Sequence, residues 1–232
     1  MATGKSFTNT SALRMVASST GVVAGIGGIE HGFLEMLQGN SVPSGRVVEA
    51  IGGAQRFWVY GTEPAFTIIP NFLVTGILAM IVGLMVVIWS IAFIDKKYGA
   101  LVLLCLSTIM FLVGGGFAPP VFAIVAILAA ILMNKPFRWL RTHVPEKLID
   151  LLAKLWKIAL VPFIALSLIE MITAIFGYPL LWFFDEDNII DIQMIFGNII
   201  FFGLGPIVLT TSLAYDIQKW KLDQVHLDNL HG

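Results

Sequence analysis

Hydropathy along the chain alternates between long apolar runs and short polar stretches. The runs cover residues 72–94, 101–133, 158–176 and 194–214, and the second is interrupted by glycine and proline. Each run, or each half of the interrupted one, approaches the roughly 20 residues that a helix needs to cross a 30 Å hydrocarbon core. A soluble helix of this length would have a polar face, and these runs mostly have none. The pattern therefore predicts an all-α, polytopic transmembrane helical bundle.

The predicted bundle has about six spans within a single transmembrane domain over residues 1–232. The spans are predicted over residues 13–37, 70–94, 98–113, 119–133, 154–177 and 194–215. The stretch 114–120 (GGGFAPP) is interpreted as a tight external turn between two short helices, because glycine frees the backbone and Pro119 suits the first turn of a helix. A re-entrant loop over 98–133 is the alternative.

Lys and Arg placement favours six spans, because cytoplasmic loops retain the positive charge. With both termini in the cytoplasm, only Arg46 and Arg56 fall outside. The other basic residues fall inside: Lys5, Arg14, Lys96, Lys97, Lys135, Arg138, Arg141, Lys147, Lys154, Lys157, Lys219 and Lys221. Five spans give a poorer separation in either orientation. The charges predict a protein of the cell membrane with both termini cytoplasmic.

The segments between the spans have their own patterns. Residues 143–157 place leucines on one side and lysines with Asp150 on the other, which predicts an amphipathic helix on the cytoplasmic surface before the fifth span. Aromatic residues in the external loop 38–67 predict that it rests on the outer interface. The acidic residues between 185 and 191 predict a solvated loop.

Composition agrees with a membrane protein. Hydrophobic residues make up 57 % of the 232 and charged residues 12 %, about half the charged share of a typical soluble domain. The net charge of −1 gives no sign of a nucleic-acid partner. The single cysteine, Cys105, lies within an apolar run and excludes an internal disulfide.

Candidate chemistry comes from polar residues in or beside the apolar spans. An ionisable side chain there costs at least about 2.5–3.5 kcal/mol on insertion scales and is usually paired or functional. The candidate ion-binding or proton-relay residues are Glu30, His31, Glu35, Glu170, Asn198 and Asn71. Glu30 and Glu170 each lie seven residues before the outer end of their span, about 10 Å at 1.5 Å per residue. We therefore expect both carboxylates at one depth, in one polar cavity.

The first span also carries a stripe of small residues. Ser18, Gly21, Gly25, Gly28, Gly32 and Glu35 are separated by three or four positions and lie on one helical face. Small residues at this spacing allow close approach of a second helix. Glu30 lies on nearly the opposite face. A span with polar groups on two faces is expected at the centre of the bundle.

Three functions follow from these residues. The favoured one is an ion- or proton-linked small-solute transporter or channel subunit that uses the buried carboxylates and His31. A six-span transporter would need to be an oligomer. The second is a structural or accessory subunit of a membrane complex, in which the polar residues fasten helices together. The expected partners are the lipid bilayer and either further copies of the chain or other membrane subunits.

The third function is a membrane-embedded metal-binding protein or enzyme. His31 and Glu35 stand at positions i and i+4, so both can reach one metal ion, and Glu170 is the candidate third ligand. Too few nitrogen or sulfur ligands occur at that depth to favour this interpretation, and an enzyme is less favoured than a non-enzyme. No cofactor is identified from the sequence.

Overall fold

The computed structural model describes residues 11–133, 135, 137, 140 and 143–231. These residues form seven α-helices and one antiparallel pair of short strands: α1 Ala12–Met36, β1 Val47–Glu49, β2 Pro64–Phe66, α2 Phe72–Ala92, α3 Gly99–Leu112, α4 Ala118–Leu132, α5 Glu146–Phe176, α6 Glu186–Asn198 and α7 Gly205–His231. The basic residues Lys5, Arg138 and Arg141 lie outside the described residues.

The helices form the bundle that the hydropathy predicts. Helices α1, α2, α5 and the helical stretch Glu186–Gln224 are long and apolar enough to cross a membrane. Helices α3 and α4 are apolar but shorter, with 14 and 15 residues. The bounds of the first four predicted spans agree with α1 to α4 within two residues.

Helix α1 lies at the centre of the bundle, as its two polar faces predict. It packs against α2, α4, α5 and α7. Its contact with α2 is close because glycines oppose each other: a Cβ atom on Gly32 would lie 2.5 Å from the Gly76 carbonyl oxygen, and one on Gly25 would lie 2.7 Å from that of Gly83. The predicted role of the glycine stripe is confirmed for these positions.

We expect Gly32→Ala to lower the free energy of unfolding by about 1–3 kcal/mol, the usual cost of overpacking. The new methyl group would meet backbone atoms of α2, which cannot move aside as a side chain can. Gly203→Ala is the matched control, because nothing lies within 4 Å of its Cβ position. Thermal unfolding in detergent, followed by circular dichroism, measures the difference. Equal unfolding midpoints for the two variants would contradict the packing account.

The outer faces of the helices carry the large apolar side chains. In α2 the buried residues are mostly small and include Thr75, Gly76, Gly83 and Ser90. The opposite side of α2 exposes Ile77, Ile81, Leu84, Met85, Ile88 and Ile91. This distribution is the reverse of a soluble helix, whose large apolar residues face the core. It suits a helix whose surroundings are apolar.

Two predictions concern the second half of the chain. The predicted surface helix 143–157 and the fifth span lie in one continuous helix, α5, which passes through Pro162 without ending. The prediction of an acidic loop over 185–191 is wrong, because α6 begins at Glu186. Glu186 and Asp187 occupy its first turn, where carboxylates interact favourably with the positive end of the helix dipole.

The segment between α1 and α2 folds back onto one end of the bundle, which we call the hairpin end. Strands β1 and β2 pair, and the pairing continues as the Ala50 amide donates to the Glu63 carbonyl over 2.9 Å. Ile51 is fully buried in a cluster with Leu34 of α1 and Ile175 of α5. The Trp58 indole donates to the Ala174 carbonyl over 3.0 Å. These contacts fix residues 58–66 over the ends of α1 and α5.

Glycines 114–116 form the predicted tight turn between α3 and α4. Gly114 and Gly116 have φ values of +93° and +80°, which L side chains rarely adopt. The Gly114 amide donates to the Phe66 carbonyl over 3.0 Å. The turn is thereby joined to β2 and lies at the hairpin end.

Helices α6 and α7 are joined by a π-helical segment, Ile199–Leu204. Pro206 follows it and has no amide hydrogen to donate, which is a recognised cause of irregular helical hydrogen bonding. The Gly205 amide donates instead to the carbonyl of Ile200, five residues earlier. The chain therefore has a widened helical turn at this point and continues as α7.

Candidate functional site

A cavity of about 580 Å³ lies between the helices near the hairpin end. Four of its walls come from α1, the start of α4, α5 and the α6–π segment, and residues 60–64 form the fifth. The polar side chains that line it include His31, Tyr60, Glu63, Glu170, Gln193 and Asn198. Phe117, Phe122, Phe201 and Phe202 form much of the apolar wall. Carboxylates and aromatic rings therefore share one chamber.

His31 lies at the base of the cavity and is 2 % exposed. Its Nδ1 atom lies 3.0 Å from the Gly27 carbonyl oxygen one turn earlier, so Nδ1 carries a proton and donates. Its Nε2 atom lies 3.1 Å from Glu63 Oε2. The Nε2–Glu63 contact has the distance of an ion pair but not the alignment of a hydrogen bond. Nε2 is thus the ring atom that faces the acidic wall.

Glu63 is the site residue that sequence reasoning missed. It belongs to the loop that was expected to rest on the outer interface, yet its side chain is only 16 % exposed. Its φ of +44° is unusual for a residue other than glycine and turns the chain just before β2 begins. Only the pairing of β1 with β2 brings it over α1. A loop glutamate carries no periodic signal that would have revealed this position.

Glu170 faces the same cavity from α5 and is partly exposed within it. Its Oε1 atom would lie 4.0 Å from a Cβ atom on Gly197, which lines the α6 wall. No basic side chain of the described residues forms an ion pair with Glu170. Asn198 also lines the cavity, although its amide donates to the Met194 carbonyl of its own helix over 2.7 Å.

Glu30 does not line this cavity, so the expectation that Glu30 and Glu170 share it does not describe the arrangement. Glu30 Oε2 lies 3.1 Å from His31 Nδ1. Both of its carboxylate oxygens are buried and have no hydrogen-bond partner among the described residues. Glu30 and Glu63 therefore lie near opposite nitrogens of one imidazole ring. Glu30 therefore places negative charge beside His31 without lining the cavity itself.

Glu35 and Asn71 lie apart from the cavity. Glu35 is fully buried under the glycine turn, where a Cβ atom on Gly114 would lie 2.3 Å from its Oε2 atom. Asn71 caps α2, because its Oδ1 atom accepts from the Val74 amide over 3.0 Å. A helix cap explains Asn71 fully. The glycine turn packs against both His31 and Glu35, but only His31 lines the cavity.

Tyr60 connects the hairpin loop to α6 beside the cavity. Its hydroxyl donates to Asp187 Oδ1 over 2.6 Å. This hydrogen bond and the negative charge of Asp187 raise the pKa of Tyr60 above its usual value. The phenol consequently remains a neutral donor near pH 7 and holds the loop against α6.

The proposed metal ligands His31, Glu35 and Glu170 do not converge. Within the described part of the chain, no group of three or more His, Cys, Asp or Glu side chains is arranged to hold a metal ion. Glu35 points to Gly114, whereas Glu170 faces the cavity.

Comparison with known protein families, with curated proteins and with solved structures gives no match for this chain.

Proposed function

We propose that this chain is a multi-pass integral membrane protein with both termini on the cytoplasmic side. The reversed polarity of the helices supports the proposal, because large apolar side chains cover the outside and small or polar residues occupy the inside. The asymmetry of Lys and Arg between the two ends supports the orientation.

We further propose that the cavity binds and passes a proton or small cation, as in a proton-linked transporter or channel subunit. The observation that carries this proposal is the position of His31 between Glu30 and Glu63, 3.1 Å from each, at the base of a cavity that Glu170 also lines. Two carboxylates beside one imidazole, with a third that lines the same cavity, leave net negative charge even when the imidazole is protonated. A proton or cation must balance that charge in an apolar protein interior.

The polar groups are poorly arranged for a purely structural role. A side chain that fastens two helices is expected to be hydrogen bonded across them. Among the described residues, Glu30 and His31 Nε2 have ion-pair contacts at 3.1 Å but no hydrogen bond that links two helices. Buried groups without hydrogen bonds destabilise a fold. Their retention beside a chamber favours a functional role.

Proton or cation flux into liposomes that contain the purified protein tests the proposed function. A pH gradient should drive flux above that of empty liposomes, and Glu170→Gln should reduce it by about 10-fold or more, because a charge that faces the permeant cation is lost. Glu146→Gln is the control, since Glu146 lies at the other end of α5, is 72 % exposed and pairs with Lys221. A wild type no faster than empty liposomes, with protons and with small inorganic and organic cations, would contradict the proposal.

A further inference from the structure

Glu35 has surroundings that the proposed transport cavity does not explain. Its side chain is fully buried, and its polar neighbour is the neutral hydroxyl of Thr75, which lacks the alignment of a hydrogen bond to either carboxylate oxygen. No Lys or Arg of the described residues forms an ion pair with it, and His31, one turn earlier, interacts with it electrostatically without forming an ion pair. A buried ionised carboxylate without a compensating partner costs several kcal/mol, so a proton or a cation is expected to neutralise it.

Two helix ends increase the need for a cation beside Glu35. Glu35 lies in the last turn of α1, and the adjoining Gly114 follows the end of α3. The carboxyl end of a helix carries partial negative charge and favours cations. No basic residue occurs in the last turn of α1 or of α3. The electrostatics of the fold therefore favour a positive ligand between these ends.

Neutral oxygen atoms gather next to the carboxylate. Thr75 Oγ1 lies 2.7 Å from the Val113 carbonyl oxygen and 2.6 Å from Thr67 Oγ1. Thr75 adjoins Glu35, and Gly114 places the end of α3 directly against the carboxylate. Thr67 and Thr75 are both buried. The cluster, which we call the Glu35 pocket, joins α1, α2, the end of α3 and the residue that follows β2.

We propose that the Glu35 pocket binds a single alkali-metal cation such as Na⁺. The donors are one carboxylate, two hydroxyl oxygens and a backbone carbonyl oxygen, which are hard ligands suited to hard cations. One carboxylate balances one positive charge, whereas calcium sites usually gather several carboxylates and magnesium retains several waters. The proposal does not depend on transport through the cavity. The bound cation would connect the carboxyl ends of α1 and α3.

Thermal unfolding at constant ionic strength and pH tests the pocket, with Na⁺ replaced by N-methylglucamine. Na⁺ at about ten times its dissociation constant should raise the unfolding midpoint of the wild type by roughly 3 °C or more, and the midpoint should continue to rise with the logarithm of the Na⁺ concentration. Glu35→Gln should abolish the shift. Thr75→Val should weaken it, whereas Thr75→Ser, which retains the hydroxyl, should preserve it.

Three results would overturn the proposal. They are a wild type indifferent to Na⁺ and K⁺, an undiminished shift in Glu35→Gln, and stabilisation by acid alone, which would mean that the carboxyl group holds a proton. Glu170→Gln should retain the full Na⁺ shift, because Glu170 lies in the other site. If Glu35→Gln does not fold, the Na⁺ shifts of Thr75→Val and Thr75→Ser test the proposal, and equal shifts in the two variants would contradict it.

Discussion

Glu63→Gln is expected to reduce proton or cation flux by about 100-fold, the largest functional loss of any single substitution in the site. Glu63 Oε2 is the carboxylate atom nearest His31 Nε2, at 3.1 Å. A loss of about 3 kcal/mol in the stabilisation of the permeant charge corresponds to about 100-fold in flux, since about 1.4 kcal/mol is a factor of ten. Initial rates of pH-driven flux in liposomes measure the effect.

Glu49→Gln is the matched control for this prediction. Glu49 belongs to the same hairpin, but its side chain is 57 % exposed and its ion pair is with Arg56. We expect flux within about twofold of the wild type, because exposed ion pairs contribute little. Equal losses in the two variants would mean that the hairpin affects flux only through folding and that Glu63 has no special role.

Gly116→Ala is expected to cause the largest loss of stability, about 3 kcal/mol or more. Gly116 has a φ of +80°, where an L side chain costs about 1–2 kcal/mol. The new Cβ atom would also lie 2.4 Å from His31 Nε2, so the imidazole would have to leave its place between two carboxylates. Thermal or denaturant unfolding of the purified protein measures the loss.

Substitutions at two other glycines distinguish backbone strain from steric overlap as the cause of that loss. Gly39 has a φ of +71° with nothing within 4 Å of its Cβ position, so Gly39→Ala should show backbone strain alone. Gly53 has neither a positive φ nor a close neighbour, so Gly53→Ala should change stability little. A Gly116→Ala variant no less stable than Gly39→Ala would contradict the close approach of the turn to His31.

Most of the helices could be predicted from the sequence, because apolar runs and glycine–proline punctuation are local signals. The stripe through Gly25 and Gly32 predicted a close helix contact for the same reason, since spacing alone puts small residues on one face. The amphipathic pattern over 143–157 predicted a helix that bends into the fifth span, and both lie in α5. The contacts of Ile149 and Ala153 with α7 could not be predicted, because they depend on tertiary structure.

Only some of the site residues could be predicted from the sequence. His31 and Glu170 are conspicuous because ionisable residues are rare in apolar spans. Glu63 could not be found in this way, because a glutamate in a polar loop is ordinary. Its position depends on strand pairing and on the burial of Ile51 and Trp58 against distant helices. Depth along a helix suggested that Glu30 faces Glu170, but rotation about the helix axis decides which side chain reaches the cavity.

Glu63 of the hairpin and Glu170 of α5 face one cavity. Cross-linking between these two positions is the most direct test of this shared site. In a Cys105→Ser background without native thiols, Glu63→Cys/Glu170→Cys should be joined by a short bifunctional thiol reagent within one chain in the membrane. Peptide mass spectrometry identifies the cross-link. Glu146→Cys/Glu170→Cys, whose positions lie far apart along α5, should not be joined. No more cross-linking between positions 63 and 170 than in the control pair would contradict the shared site.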